Sequence, residues 1–189
     1  MTLPTWITLF RLILIPVFVL LAIHYGDSVQ AGQPREWLRL GAIAAFVLAS
    51  VSDFLDGYLA RKLNLQSRIG AILDPIADKG LLIAALVTLT FSGWPNTFPL
   101  WFMVLVISRD LFILAGVAAL QIHLGKVKIK PTPLGKLATA MLMVTLAWVM
   151  LKFPHHQIVV ALAGAVTFAS AVGYFIVCLR LLHSHEPHS

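Results

Sequence analysis

Apolar residues run along this chain in six stretches separated by short polar breaks. The stretches near 7–25, 37–61, 70–91, 97–122, 134–151 and 158–182 each approach the roughly 20 residues an α-helix needs to cross a bilayer. The breaks between them carry turn chemistry: Gly32-Gln33-Pro34, residues 64–67, Gly93-Trp94-Pro95-Asn96, Lys130-Pro131-Thr132-Pro133 and Phe153-Pro154-His155. The pattern predicts an all-α integral membrane protein of six transmembrane helices. No linker, repeat or low-complexity tract divides it, so residues 1–189 are expected to form a single membrane domain. The first stretch contains Arg11 and is followed by no clean small-residue cleavage pattern, so it is expected to be a retained helix and not a signal peptide.

Composition sharpens this picture. Hydrophobic residues make up 59% of the 189, charged residues 12%, and the mean hydropathy is +0.90. A soluble domain carries about 25% charged residues, and a chain of this size has too little interior to hide so much apolar surface from water. The net charge of +6 would fit nucleic acid in a polar protein; here it implies basic loops facing anionic lipid, and no nucleic-acid partner. With the N-terminus cytoplasmic, one side of the membrane holds nine basic residues: Arg11, Arg61, Lys62, Arg68, Lys126, Lys128, Lys130, Lys136 and Arg180. The other side holds three: Arg35, Arg39 and Lys152. That asymmetry places both termini in the cytoplasm. The single Cys178 excludes an internal disulfide.

The chemistry lies in the second and third stretches. Asp53, Asp56, Asp74 and Asp78 sit at or near bilayer depth, where each costs about 2.5–3.5 kcal/mol to insert. Asp53 and Asp56 are three apart and Asp74 and Asp78 four apart, spacings that put each pair on one face of a helix. Gly57 and Ala60 share the Asp53 face, and Gly70 lies one turn before Asp74, which lets a bulky ligand approach the backbone. The short link between the two helices makes them antiparallel neighbours, so the four carboxylates converge. Four acids in a small volume raise one another's pKa unless cations join them. An oxygen-only donor set points to hard ions, Mg²⁺ or Mn²⁺, which complete their shells with water and substrate phosphates. Two such ions bridging a diphosphate polarise it for displacement, and Arg61, about two helical turns beyond Asp53, adds fixed positive charge. Two other readings stand beside this one. Buried ion pairs with Lys79, Arg61 and Arg109 would neutralise the acids, but four acids on two spans exceed what packing needs. A cation-coupled transporter also places acids inside the membrane, but does not explain the Arg61 and Gly70 spacing.

The run Asp53-x2-Asp56-Gly57-x2-Ala60-Arg61-x8-Gly70-x3-Asp74-x3-Asp78 resembles the signature of the CDP-alcohol phosphotransferases at all eight of its fixed positions. The opening Pro4-Thr5-Trp6-Ile7-Thr8-Leu9-Phe10-Arg11, followed by Pro16, resembles the N-terminus of bacterial glycerol-type members, which usually have Asn where Thr5 stands. The resemblance implies one six-helix membrane domain of that family, a homodimer, in a bacterial inner membrane with its site facing the cytoplasm. It implies a role in phospholipid biosynthesis: transfer of a phosphatidyl group from CDP-diacylglycerol to a glycerol-type alcohol, with release of CMP. Asp53, Asp56 and Asp74 would bind two divalent ions, with Asp78 both the remaining ligand and the general base. Gly57, Arg61 and Ser67 match positions that hold the CDP moiety, and Thr8 is a further candidate for it.

The acceptor is less sharply indicated. Ser108-Arg109-Asp110 falls mid-helix, and Lys126, Lys128, Lys130 and Lys136 gather after the fourth span. Cations there suit a phosphorylated acceptor or an anionic head group, and Arg109 and Lys136 are the candidate acceptor-binding residues. Members that take glycerol 3-phosphate usually carry a second arginine later in this span, where this chain has Ala118. The Ser-Arg-Asp run is also similar to that of the CMP-forming cardiolipin synthases, whose acceptor is phosphatidylglycerol. Glycerol 3-phosphate is the first expectation and phosphatidylglycerol the alternative. The histidines at 155, 156, 183, 185 and 188 have no zinc-like spacing and read as solvated. No function attaches to the polar segment 27–36, and small residues in the last span suit a helix seam.

Overall fold

The computed structural model describes residues 3–63, 70–124 and 132–183, with side chains described over 9–52, 79–116 and 132–177. These residues form six α-helices and no strand: α1 (Leu3–Gln30), α2 (Glu36–Leu63), α3 (Gly70–Phe91), α4 (Leu100–Leu124), α5 (Pro133–Met150) and α6 (His156–His183). Each apolar stretch of the sequence corresponds to one helix. Among the described residues, three helical segments are long and apolar enough to cross a bilayer: Leu9–Gln30, Pro133–Met150 and His156–Val177. A shorter apolar segment spans Lys79–Phe91. Many large apolar side chains are exposed along these helices, among them Ile13, Leu20, Leu40, Phe91, Leu162 and Phe168. That is the surface a lipid-solvated protein presents, since hydrocarbon gives no reason to bury it.

The chain divides into two compact units, one of Met1–Phe98 with Val149–Lys152 and one of Pro99–Trp148 with Phe153–Ser189. In the first, α1 packs along α2 and α3, and α2 and α3 touch over a shorter stretch. The buried positions recur at helical spacing: Phe18, Ala22 and Tyr25 on α1; Leu38, Ala42, Ala45 and Ala49 on α2; Leu82, Ala85, Leu86 and Leu89 on α3. Alanine at so many of them lets the backbones approach closely. One close approach is at Gly26 of α1, where a Cβ would fall onto the Ser92 carbonyl just beyond α3. From the same turn Trp94 donates its indole N–H to the Ala22 carbonyl at 2.9 Å and meets Tyr25 edge-on at 4.7 Å. The turn after α3 is thereby fastened to the C-terminal third of α1.

Two helix ends use the same hydrogen-bond device. After α1, Gly32 donates its N–H to the Val29 carbonyl and Gln33 donates to the Ser28 carbonyl, each at 3.0 Å, with Gly32 at φ +71°. This is a Schellman termination with glycine in the left-handed position. Nothing breaks the helix before Gly32, so residues 27–30 of the polar segment continue α1. After α5, Lys152 donates to Val149 at 3.0 Å and Phe153 to Trp148 at 3.1 Å, with Lys152 at φ +57°. Here a lysine fills the position that favours glycine. Its ammonium compensates by reaching the Glu36 carboxylate at 2.7 Å, while Arg39 Nε donates to the other Glu36 oxygen at 2.6 Å.

In the second unit α4 packs along α6. Gly164 of α6 admits the Trp101 ring, whose Cζ3 lies 2.8 Å from where a Cβ would stand. Ala138, Leu142 and Leu146 form the buried face of α5. The hydroxyls of Thr139, Thr145 and Thr167 donate to carbonyls one turn earlier, at 3.2, 2.6 and 2.7 Å, so these polar groups are satisfied within their own helices. Trp148 donates its indole N–H to the Pro154 carbonyl at 2.9 Å and stacks edge-on against Phe153, tying off the turn into α6.

The packing at Gly26 predicts that Gly26→Ala lowers stability by about 1–3 kcal/mol, read as a fall in Tm of the detergent-solubilised protein; an unchanged Tm would show that the α1–Ser92 contact is looser than described. The Glu36 cluster predicts a pH dependence. The hydrogen bond from Lys152 holds the Glu36 carboxyl below its ordinary value, aided by Arg39 and opposed by burial. Burial is the largest influence on Lys152 and pulls it down, but hydrogen bonding with Glu36 and Tyr25 outweighs it and leaves the ammonium above its ordinary value. The stabilisation is therefore present above the ordinary carboxyl pKa and lost as pH falls through the lowered Glu36 value. It is likewise lost as pH rises through the raised Lys152 value. Glu36→Gln should lower Tm modestly at neutral pH, by the equivalent of about 1 kcal/mol or less for so exposed a pair, and the difference from the parent should vanish in acid. A difference that persists unchanged in acid would assign the effect to something other than this ion pair.

Candidate active site

The four aspartates fall on regular helix. Asp53, Asp56, Gly57 and Arg61 lie on the C-terminal part of α2, and Asp74 and Asp78 on the N-terminal part of α3, which continues through Pro75. Both segments belong to the first unit. The helical spacing that the sequence requires for each carboxylate pair is thus present in the backbone. The side chains of all six residues lie outside the described residues, as do Ser67 and the side chain of Thr8 on α1. Among the residues whose side chains are described, no group of three or more His, Cys, Asp or Glu is placed to hold a metal ion. As a donor set the aspartates suit divalent cations: four carboxylates within two adjoining helical segments, with no thiol or imidazole between residues 53 and 78. Arg11, which the sequence marked only as a basic residue near the membrane surface, is completely buried on α1.

The acceptor candidates fall in the second unit. Arg109 stands mid-way along α4, with its side chain 10% exposed. Its Nη1 donates to Asp110 Oδ1 at 2.8 Å, and its Nη2 donates to Ser170 Oγ on α6 at 3.0 Å and to the Gly135 carbonyl on α5 at 3.3 Å. Its Nε is buried and makes no hydrogen bond among the described residues. One guanidinium therefore joins three helices. Lys136, the next residue after Gly135, is exposed on the first turn of α5. That turn is held at its start: Gly135 donates its N–H to the Thr132 hydroxyl at 3.2 Å, Lys136 donates to the Thr132 carbonyl at 3.2 Å, and the Thr132 N–H donates to the Tyr174 hydroxyl at 3.4 Å. Lys126, Lys128 and Lys130 lie outside the described residues, and so does the side chain of Ala118.

Beside Arg109 a groove of about 330 Å³ opens between α4 and α6, lined by Leu105, Phe112, Phe168 and Phe175 with Ser108 and Arg109 as its polar members. Sequence reasoning did not single out Ser170 or Tyr174. The signal was available: Thr167, Ser170 and Tyr174 recur at i, i+3 and i+7 in an otherwise apolar helix, which puts their polar atoms on one face.

Residues 1–172 of the 189 match the CDP-alcohol phosphatidyltransferase domain. The chain belongs to the CDP-alcohol phosphatidyltransferase family. It is 38% identical over 173 residues, 89% of its own length and 86% of the relative's, to the CDP-diacylglycerol–glycerol-3-phosphate 3-phosphatidyltransferase of Escherichia coli K12. The same identity and coverage hold for the protein of that name from Shigella sonnei. The one from Shigella flexneri is 39% identical over 150 residues, covering 78% of this chain and 75% of the relative. The chain is accordingly a membrane phosphatidyltransferase, and the transporter reading of its four aspartates falls away. Dependence on a divalent metal is general in the family.

Proposed function

We propose that this enzyme transfers the phosphatidyl group of CDP-diacylglycerol to glycerol 3-phosphate and releases CMP. The observation that carries the reading is the 38% identity that extends over 89% of the chain to an enzyme named for that transfer. Asp53, Asp56, Asp74 and Asp78 hold two divalent ions, Mg²⁺ or Mn²⁺, which when bound polarise the donor diphosphate and neutralise its charge. Gly57 admits the CDP moiety close to the α2 backbone, Arg61 and Ser67 hold its phosphates and sugar, and Thr8 contributes a further contact. Asp78 also takes the proton from the acceptor hydroxyl. The freed oxygen forms the new bond to the phosphorus that carries the diacylglycerol, and the anhydride bond to CMP breaks. Arg109 and Lys136 meet the anionic group of the acceptor.

Six transmembrane helices with both termini cytoplasmic are supported by the six helices of the fold and by the nine-to-three division of basic residues. With bacterial relatives and basic residues concentrated on one side, we place the enzyme in an inner membrane with its site facing the cytoplasm. The match over residues 1–172 runs through both compact units and supports treating the chain as one domain; we take it to work as a homodimer. The apolar groove beside Arg109 favours a second acceptor, phosphatidylglycerol, whose acyl chain has the chemistry of that lining.

Purified protein in lipid micelles, given CDP-diacylglycerol, Mg²⁺ or Mn²⁺ and one acceptor at a time, tests the assignment. Metal-dependent CMP release with glycerol 3-phosphate is expected; release with phosphatidylglycerol alone would make the second reading correct, and release with neither would sink both. Asp78→Asn should lower turnover at least about a hundredfold, within the range of a lost general base, while CDP-diacylglycerol binding persists. Asp56→Asn should weaken both binding and turnover. Near-normal turnover in Asp78→Asn would remove Asp78 from the role of base.

A further inference from the structure

Ser170 has no exposed surface, yet it carries a hydroxyl in the middle of an apolar helix. The buried threonines Thr145 and Thr167 turn their hydroxyls back to their own helix. Ser170 instead accepts a hydrogen bond from another helix, from Arg109 Nη2 at 3.0 Å. A guanidinium has five donors in a fixed planar fork, so fixing two of its edges fixes the third. Asp110 takes Nη1, and Ser170 with the Gly135 carbonyl takes Nη2. What remain are the second Nη1 hydrogen and the buried Nε, and among the described residues Nε makes no hydrogen bond. A buried donor without an acceptor is unfavourable, and an anionic oxygen of a ligand would relieve it.

The same clamp governs the start of α5. Gly135 is enclosed so tightly that an added Cβ would stand 3.2 Å from Tyr174 Cε2 and 3.3 Å from Arg109 Nη2. The turn carrying Lys136 is therefore referenced to α4 through Arg109 and to α6 through Tyr174. Asp110 offsets part of the Arg109 charge, so a phosphate monoester needs a second cation, and Lys136 extends from this turn.

We propose that Ser170 is a positioning residue for acceptor recognition. By holding Nη2 together with the Gly135 carbonyl, it fixes the orientation in which the remaining donors of the Arg109 fork meet a phosphate oxygen of the acceptor. The proposal rests on the reading that Arg109 meets the acceptor. It concerns affinity for the acceptor and not the transfer step, and the donor nucleotide is untouched by it.

The test is a double-mutant cycle on Ser170→Ala and Arg109→Gln, using whichever acceptor supports CMP release, with KM for acceptor, KM for CDP-diacylglycerol, kcat and Tm measured for each protein. Ser170→Ala should raise the acceptor KM about tenfold, as for loss of a hydrogen bond to a charged group, with kcat and the donor KM within about twofold of the parent. In the Arg109→Gln background the same substitution should add less than about a twofold change, because its effect travels through the guanidinium. If Arg109→Gln raises the acceptor KM and Ser170→Ala does not, the positioning role is overturned while the reading of Arg109 stands. If Arg109→Gln leaves the acceptor KM unchanged, the acceptor reading of Arg109 falls and this inference with it. If Ser170→Ala lowers Tm or kcat equally in both backgrounds, Ser170 is a packing residue and the proposal is wrong.

Discussion

Hydrocarbon offers no water to a polar group, and every donor and acceptor placed in it must find its partner in the protein or in a ligand. That constraint explains why the described chain is helical, since a helix satisfies its own backbone. It also explains the behaviour of the side chains. Thr145 and Thr167 turn their hydroxyls back onto the preceding turn, Trp94 finds the Ala22 carbonyl, and Trp148 finds the carbonyl of Pro154. Arg109, which cannot shed its charge, collects a carboxylate, a hydroxyl and a carbonyl from three helices. In the proposed function the four aspartates pose the same problem, and cations shared with a diphosphate solve it and also perform chemistry.

This is also why so much was legible in the sequence. In a membrane protein hydrophobic length marks helices directly, and the six apolar stretches map one to one onto α1–α6. The ends were read less well. Helix α1 runs through residues 27–30 because polarity does not end a helix, whereas Gly32 does. The family was legible because eight positions at fixed spacing encode one function on two helices, and Asp53, Asp56, Asp74 and Asp78 do fall on helical backbone at the spacing that places each pair on one face.

The environment of Arg109 was harder to read. Its partners Ser170 and Gly135 lie 61 and 26 residues away along the chain, and neither is an unusual residue for a membrane helix. Only the helical phase of Thr167, Ser170 and Tyr174 hinted at a polar face, and periodicity does not name the helix that such a face will meet. Lys152 was hidden for a related reason. A lysine after an apolar run reads as an interfacial anchor, and nothing in its neighbourhood announces a left-handed backbone or a partner 116 residues earlier.

That long separation has a consequence in time. The bonds from Lys152 to Glu36 and from Arg39 to the Met150 carbonyl close the first unit with a segment made only after α4 and α5. Until residues 149–152 have been synthesised, Glu36 and Arg39 at the start of α2 lack these partners. The first unit, which carries all four aspartates, thus waits for most of the second to emerge before its last contacts form. Completion of the unit that carries the aspartates is in this way linked to delivery of the helices proposed to recognise the acceptor.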